Sequence, residues 1–245
     1  MKIINILSPN HNSLKRSINS IRVIVIHYTG MQSERESIKR LVNPNSKVSS
    51  HYLINRKGKV FKLVHDNYVA WHAGKSCWKN YKNLNENSIG IELVNKGHQF
   101  GYTSFEKKQI LSLIKLCKKL VKKYKINKKN IVGHSDIAPL RKIDPGEKFP
   151  WKFLARNKVG VWHDYRQDFI KRYRRSKVQT EQEIKKFIKN LNRIGYCFPS
   201  KKKKFFIKTI KAFQRHFRKE LINGILDHEC LMIAQNLAKK PTNKP

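Results

Sequence analysis

Gly133-His134-Ser135-Asp136-Ile137-Ala138-Pro139, followed by Lys142-Ile143-Asp144-Pro145-Gly146, puts an imidazole, an ammonium and a carboxylate on one short stretch. Pro139, Pro145 and Gly146 forbid a continuous helix there. Ile131-Val132 just before it reads as a buried strand, so the stretch is an irregular loop held by an apolar anchor, a common way to display reactive groups. A single histidine in such a loop is usually an ordinary surface residue. A second one alters the weighing. Val23-Ile24-Val25-Ile26 is a run of four β-branched residues that ends in His27, as expected where a buried strand opens onto a rim. His27, His134 and Asp144 together supply the donor types of a catalytic zinc, which takes three protein ligands and leaves a fourth position for water. Other borderline ions would accept the same donors, and the spacing lacks the tight register of a His-Glu-x-x-His helix.

Two more groups could take part. Glu92 sits among Ile89, Ile91, Leu93 and Val94. Facing inward, its ionised form would be disfavoured by desolvation, which suits a general base working near neutral pH. Facing outward from a half-buried strand, it would be a solvated carboxylate, and the pattern allows both. Lys142 lies two residues before Asp144 and could share its pocket, where an ammonium would stabilise a developing oxyanion. Taken alone, it is one surface lysine among many.

The elements that must position these residues follow from periodicity. An irregular arm from Ser8 to Ser20 leads into a strand at 22–28. Ser33 caps a short helix with Glu34 and Glu36 in its first turn and Lys39 and Arg40 in its last. Stretches 49–54 and 59–64 form a hairpin turning near Lys57-Gly58. Trp71-His72-Ala73-Gly74 reads as a loop, and a longer polar loop runs from Lys75 to Asn87. Residues 88–95 alternate as a strand. Thr103-Ser104-Phe105-Glu106 reads as a capping box for a helix with Ile110, Ile114, Cys117, Leu120 and Val121 on one face. A strand near 130–133 then delivers His134. Strands interleaved with helices, one pair being a hairpin, imply an α/β fold with a mixed central β-sheet flanked by helices. From about Tyr165 strand patterns cease, and helical patterns occur near 179–193, 203–219 and 227–239, with Gly195, Pro199 and a solvated Lys201-Lys202-Lys203-Lys204 loop between them. This reads as a small three-helix C-terminal domain at 176–245 after a larger domain at 1–165, with the boundary near 165–178.

Lys+Arg 54 against Asp+Glu 16 gives a net charge of +38 in 245 residues, yet 39% of them are hydrophobic, which excludes a disordered polycation. Nucleic acid, an anionic envelope or a lysine-rich compositional bias could each account for the charge. No nucleic-acid motif accompanies it, so nucleic-acid binding is set aside as a primary function. Cys77, Cys117, Cys197 and Cys230 form no Cys-x-x-Cys pair and imply no disulfide framework, and Cys117 fits a buried thiol within its helix. No stretch approaches the roughly 20 apolar residues of a membrane span. Met1–Asn10 holds too short an apolar run for a signal peptide. Cell envelope or periplasm and cytoplasm both stay open, as does the oligomeric state.

Several of these motifs occur in one order: His27-Tyr28-Thr29, Ser50-His51-Tyr52-Leu53-Ile54, Ala70-Trp71-His72-Ala73-Gly74, Ser88-Ile89-Gly90-Ile91-Glu92, Gly133 to Pro139, Lys142 to Gly146 and Pro150-Trp151. Over roughly residues 5–155 the chain closely resembles the type 2 N-acetylmuramoyl-L-alanine amidases, zinc hydrolases related to peptidoglycan recognition proteins. The resemblance implies one Zn²⁺ per chain on His27, His134 and Asp144, Glu92 as general base, Lys142 as transition-state stabiliser, and peptidoglycan or muropeptide as substrate. It also brings Trp71, His72 and His51 near the pocket as candidate substrate contacts. A non-hydrolytic recognition protein of the same superfamily is the alternative, and the intact ligand set argues against it. In the tail, Ala212-Phe213-Gln214 and Asn223-Gly224-Ile225-Leu226-Asp227 resemble the small helical peptidoglycan-binding domain.

Overall fold

The architecture was obtained as a computed structural model that describes residues 2–178, 180–198 and 202–241. Its strands are β1 (Ile3–Asn5), β2 (Val23–Tyr28), β3 (Tyr52–Ile54), β4 (Val60–Lys62), β5 (Cys77–Trp78), β6 (Tyr81–Lys82), β7 (Ser88–Leu93) and β8 (Ile131–Gly133). Its α-helices are α1 (Glu34–Val42), α2 (Lys107–Tyr124), α3 (His134–Ile137), α4 (Trp151–Arg156), α5 (Gln167–Ile170), α6 (Glu181–Ile194), α7 (Lys203–Phe217) and α8 (His228–Lys239). Six strands form one sheet in the order β1-β4-β3-β7-β2-β8, parallel except for the β3–β4 hairpin. The expected α/β class with a mixed sheet is what the chain adopts.

Strand alternation gives the sheet two different faces. Ile24 and Ile26 of β2, Ile89, Ile91 and Leu93 of β7, and Ile131 of β8 pack against Ile110, Leu113, Ile114 and Cys117 of α2. The opposite face carries Val23, Val25 and Val132, which join one apolar cluster with Phe187 and Leu191 of α6, Phe213 and Phe217 of α7, and Ile233 and Leu237 of α8. The C-terminal helices and the sheet therefore share a core. Within that helical stretch, Gln214 accepts a bond from the Gly224 N–H and donates to the Ile225 carbonyl, while Asp227 caps α8. The Ala-Phe-Gln and Gly-x-x-Asp motifs thus hold one turn together, and Phe213 and Phe217 are buried as core residues.

Ser33 caps α1 as expected, but the capping box at Thr103 does not form. Glu106 occupies the N-cap of α2 without a side-chain cap bond, because Arg56 from the β3–β4 turn engages both Thr103 and Glu106. Cys77 and Cys197 form a disulfide with their Cα atoms 6.0 Å apart, which corrects the reading that the cysteine spacing implies no disulfide framework. The bridge ties the β5–β6 hairpin, folded from the expected polar loop, to the segment after α6; Cys117 and Cys230 are buried free thiols. Lys203 and Lys204 open α7, so they are not part of a loop, while Gln179, Pro199 and Lys201 lie outside the described residues. Among the described residues no helix is long and apolar enough to cross a membrane.

Candidate metal centre

Parallel register aligns the chemistry before any loop is considered. His27 and Glu92 are paired across β2 and β7, and Ile26 pairs with Gly133 of β8. The carboxyl ends of three adjacent strands thus deliver Glu92, His27 and His134 side by side, the usual location of ligands in open α/β sheets. Glu92 points away from the α2 core, and the inward alternative left open by the sequence is the one adopted: it lines a cleft of about 350 Å³ with His27, His134, Lys142 and Asp144. Asp144 returns over His134 because the Ser135 N–H donates to the Asp144 carbonyl at 2.8 Å. Gly133 permits that return, since a Cβ there would fall 2.6 Å from Pro145 Cδ. Contrary to the expectation of a wholly irregular segment, His134 to Ile137 make one turn of helix, with the Asp136 carboxylate accepting from the Gly133 N–H.

His27 Nδ1 and His134 Nδ1 lie 2.9 Å apart, and each is 3.1 Å from Asp144 Oδ2. All three residues are buried. Burial, then the neighbouring His134, lowers the His27 pKa to about 4, so its imidazole is neutral. His134 Nε2 faces the Ala73 carbonyl at 3.2 Å and must carry the hydrogen, which leaves Nδ1 a lone pair. A carboxylate and at least one bare ring nitrogen facing each other without enough hydrogens is a donor set that calls for a cation. Donors at ~2.0–2.1 Å around tetrahedral zinc stand roughly 3.3 Å apart, close to this triangle. The residues present fit the metal.

Glu92 has its Oε2 sealed from solvent with no hydrogen-bond partner. Burial first, then the negative charge of Asp144, raises its pKa to about 8, against the opposing pull of Lys142.

Residues 17–147 match the family described as N-acetylmuramoyl-L-alanine amidase. The chain is 39% identical to N-acetylmuramoyl-L-alanine amidase AmiD of Escherichia coli K12 over 90% of its own length and 83% of that relative. The chain belongs to the N-acetylmuramoyl-L-alanine amidase family. The structure of AmiD in complex with anhydro-N-acetylmuramic acid-L-Ala-D-gamma-Glu-L-Lys matches this amidase with a TM-score of 0.78 at 36% identity, covering 92% of this chain and 91% of that one. AmpDh3 of Pseudomonas aeruginosa, solved with anhydromuramic pentapeptide, matches at a TM-score of 0.78 and 34% identity over 92% of each chain.

Of the candidate substrate contacts, Trp71 and His72 line the amidase cleft. Trp71 is anchored by its indole N–H to Asn12 Oδ1 at 2.7 Å. His51 does not line the cleft: fully buried just before β3, with its ring 5.6 Å from that of His72, it accepts the Gly90 N–H at Nδ1 and contacts Arg16 and the Tyr68 carbonyl at Nε2. Arg40 and Arg141 also line the cleft, and sequence reasoning did not single them out among 54 basic residues. Tyr196 and His216, also unmarked by the sequence, bond the Asp136 carboxylate from the C-terminal segment at 2.6 and 2.7 Å.

Proposed function

We propose that this amidase hydrolyses the bond between N-acetylmuramic acid and L-alanine in peptidoglycan or muropeptides, with one Zn²⁺ held by His27, His134 and Asp144. The observation that carries the reading is the triangle of under-protonated donors at 2.9 to 3.1 Å on the floor of a cleft that Glu92 also lines. When bound, zinc supplies Lewis-acid polarisation of a carbonyl and acidifies a water. Glu92 takes the proton from the attacking water; burial beside Asp144 makes it a stronger base than an exposed carboxylate. It then passes the proton to the leaving amine of alanine. The Lys142 ammonium faces the oxygen that gains charge as the tetrahedral intermediate forms. Arg40 and Arg141 give the rim a positive field suited to the carboxylates of a peptide stem. AmiD and AmpDh3, which share the fold and a third of the sequence, were each solved with an anhydromuramyl peptide, and we take that class as the substrate. The Cys77–Cys197 bridge favours an oxidising compartment such as the cell envelope.

Glu92→Ala tests the assignment. It should retain stoichiometric zinc and lose on the order of 100- to 10,000-fold in turnover of an anhydromuramyl peptide, followed by mass spectrometry of the products. Near-native turnover by Glu92→Ala removes Glu92 from the mechanism. Intact muropeptide after incubation with the zinc-loaded native chain would instead favour the non-hydrolytic recognition role.

A further inference from the structure

His72 lines the cleft, yet both its ring nitrogens are already engaged. Ser88 Oγ donates its hydrogen to the Leu84 carbonyl, so toward His72 Nε2 at 3.2 Å it can only accept. His72 therefore carries its hydrogen on Nε2 and presents a bare Nδ1. That bare Nδ1 faces His27 Nε2 at 3.1 Å, which makes the His27 nitrogen the donor. His27 Nδ1, the atom aimed at His134 and Asp144, is then left with a lone pair. The direction of every bond in this relay follows from one end, because a carbonyl oxygen cannot donate. The next residue does the same for the other imidazole, since the Ala73 carbonyl accepts from His134 Nε2.

We infer that His72 and the Ala73 carbonyl are the positioning element of the metal centre: together they hold both ligating imidazoles in the tautomer and rotation that turn Nδ1 toward the ion. The inference rests on the zinc reading given above. His72 is thereby a positioning residue that acts through His27, and its presence in the cleft wall is incidental to substrate.

The surrounding fold is built to hold this pair of residues still. His72 is half-buried over β7, where Gly90 leaves room for it: a Cβ on Gly90 would fall 2.5 Å from the ring. Gly90 is paired with Val25, two residues before the His27–Glu92 pair and on the same face, so the ring fills the space that a side chain on β7 would take. Asn85 Oδ1 accepts from the backbone N–H groups of both His72 and Ala73, at 3.1 and 2.7 Å. Arg141 donates to the Ala73 carbonyl at 2.8 Å from the opposite side, alongside His134. Outer partners of this kind typically account for 10- to 100-fold in metal affinity.

The test needs two readouts. In the native, metal-free chain at alkaline pH, long-range ¹H–¹⁵N correlation of labelled histidine should show His27, His72 and His134 all carrying hydrogen on Nε2. An Nδ1–H form of His27 or His72 overturns the relay without any variant being made. Zinc affinity is then measured by chelator competition. His72→Leu, which offers no acceptor, should bind zinc roughly 10- to 100-fold more weakly, and His72→Gln, whose amide accepts from His27 and donates to Ser88, should recover most of the loss. Unchanged affinity in His72→Leu, or a KM rise with native zinc affinity, overturns the positioning role and makes His72 a substrate contact. A native chain that binds no stoichiometric zinc defeats the metal reading instead, while the tautomer measurement still decides the relay.

Discussion

Two buried clusters of aspartate and histidine lie two residues apart along α3, and they have opposite proton inventories. Asp136 accepts from the Tyr196 hydroxyl at 2.6 Å, the Gly133 N–H at 2.8 Å and His216 Nδ1 at 2.7 Å. Every partner there has a hydrogen to give, and the His216 ring is stacked on Trp151 at 3.8 Å. Asp144 faces His27 and His134 at similar distances, but both rings have their hydrogens committed elsewhere. Residue types, burial and spacing barely distinguish the two sites. Hydrogen accounting does: one cluster is complete as a strut, and the other is complete only around a cation. The strut also explains how His134 is held, since the same four-residue helix presents His134 to the cleft and Asp136 to α7.

Substitution should separate the clusters cleanly. His134→Ala should abolish stoichiometric zinc and reduce amidase activity to background while leaving the metal-free fold intact. Asp136→Ala strips the acceptor from three buried donors and should cost on the order of 3–5 kcal/mol, with zinc still bound by whatever fraction remains folded. Metal analysis beside urea unfolding in chelator reads both. If Asp136→Ala lost zinc with no loss of stability, the contrast between strut and metal site would be reversed.

The two clusters were unequally legible in the sequence. His27 announced itself at the end of a β-branched run, and the ordered motifs carried His134, Asp144, Glu92 and Lys142. What the strand pattern left open was the direction of Glu92, because alternation puts Ser88, Gly90 and Glu92 on the face opposite Ile89, Ile91 and Leu93 without saying whether that face meets solvent or the interior. Only the register with His27 decides it. The strut was invisible: Tyr196 and His216 lie 60 and 80 residues from Asp136, and nothing local marks a long-range polar pair. The Cys77–Cys197 bridge was missed for the same reason, being 120 residues apart. At Thr103 a correct local motif lost to a distant competitor, Arg56. Elements and their faces were therefore readable, whereas polar partnerships across the fold were not.

Acidity sharpens the comparison on the cleft side. Without metal, native Glu92 keeps its proton up to pH about 8, whereas the unfolded chain releases it near 4.5. Between those values the native state binds more protons, so this contribution to stability is full below pH 4.5 and is lost as pH rises through about 8. The slope is at most ~1.4 kcal/mol for each pH unit in that window. Urea midpoints of the metal-free chain should fall across it, and Glu92→Gln should flatten the fall. Equal slopes in the two proteins would mean that Glu92 titrates normally in the cleft.

The smallest effect is expected from Tyr196→Phe. It removes one hydroxyl from the strut and leaves Asp136 Oδ1 buried without that donor, while Gly133 and His216 still hold Oδ2. A hydrogen bond to a charged group is worth about 1.5–3 kcal/mol, and the phenyl ring keeps its packing against Trp78 and Phe213. For a chain of this size each kcal/mol moves the midpoint by about 2–4 °C. Thermal unfolding should drop accordingly both with zinc and with chelator, because α3 stays anchored and the donor triangle is untouched. A variant with native thermal stability but weakened zinc binding would show that the Tyr196 hydroxyl serves the metal side of α3, merging the strut and the metal site into one network.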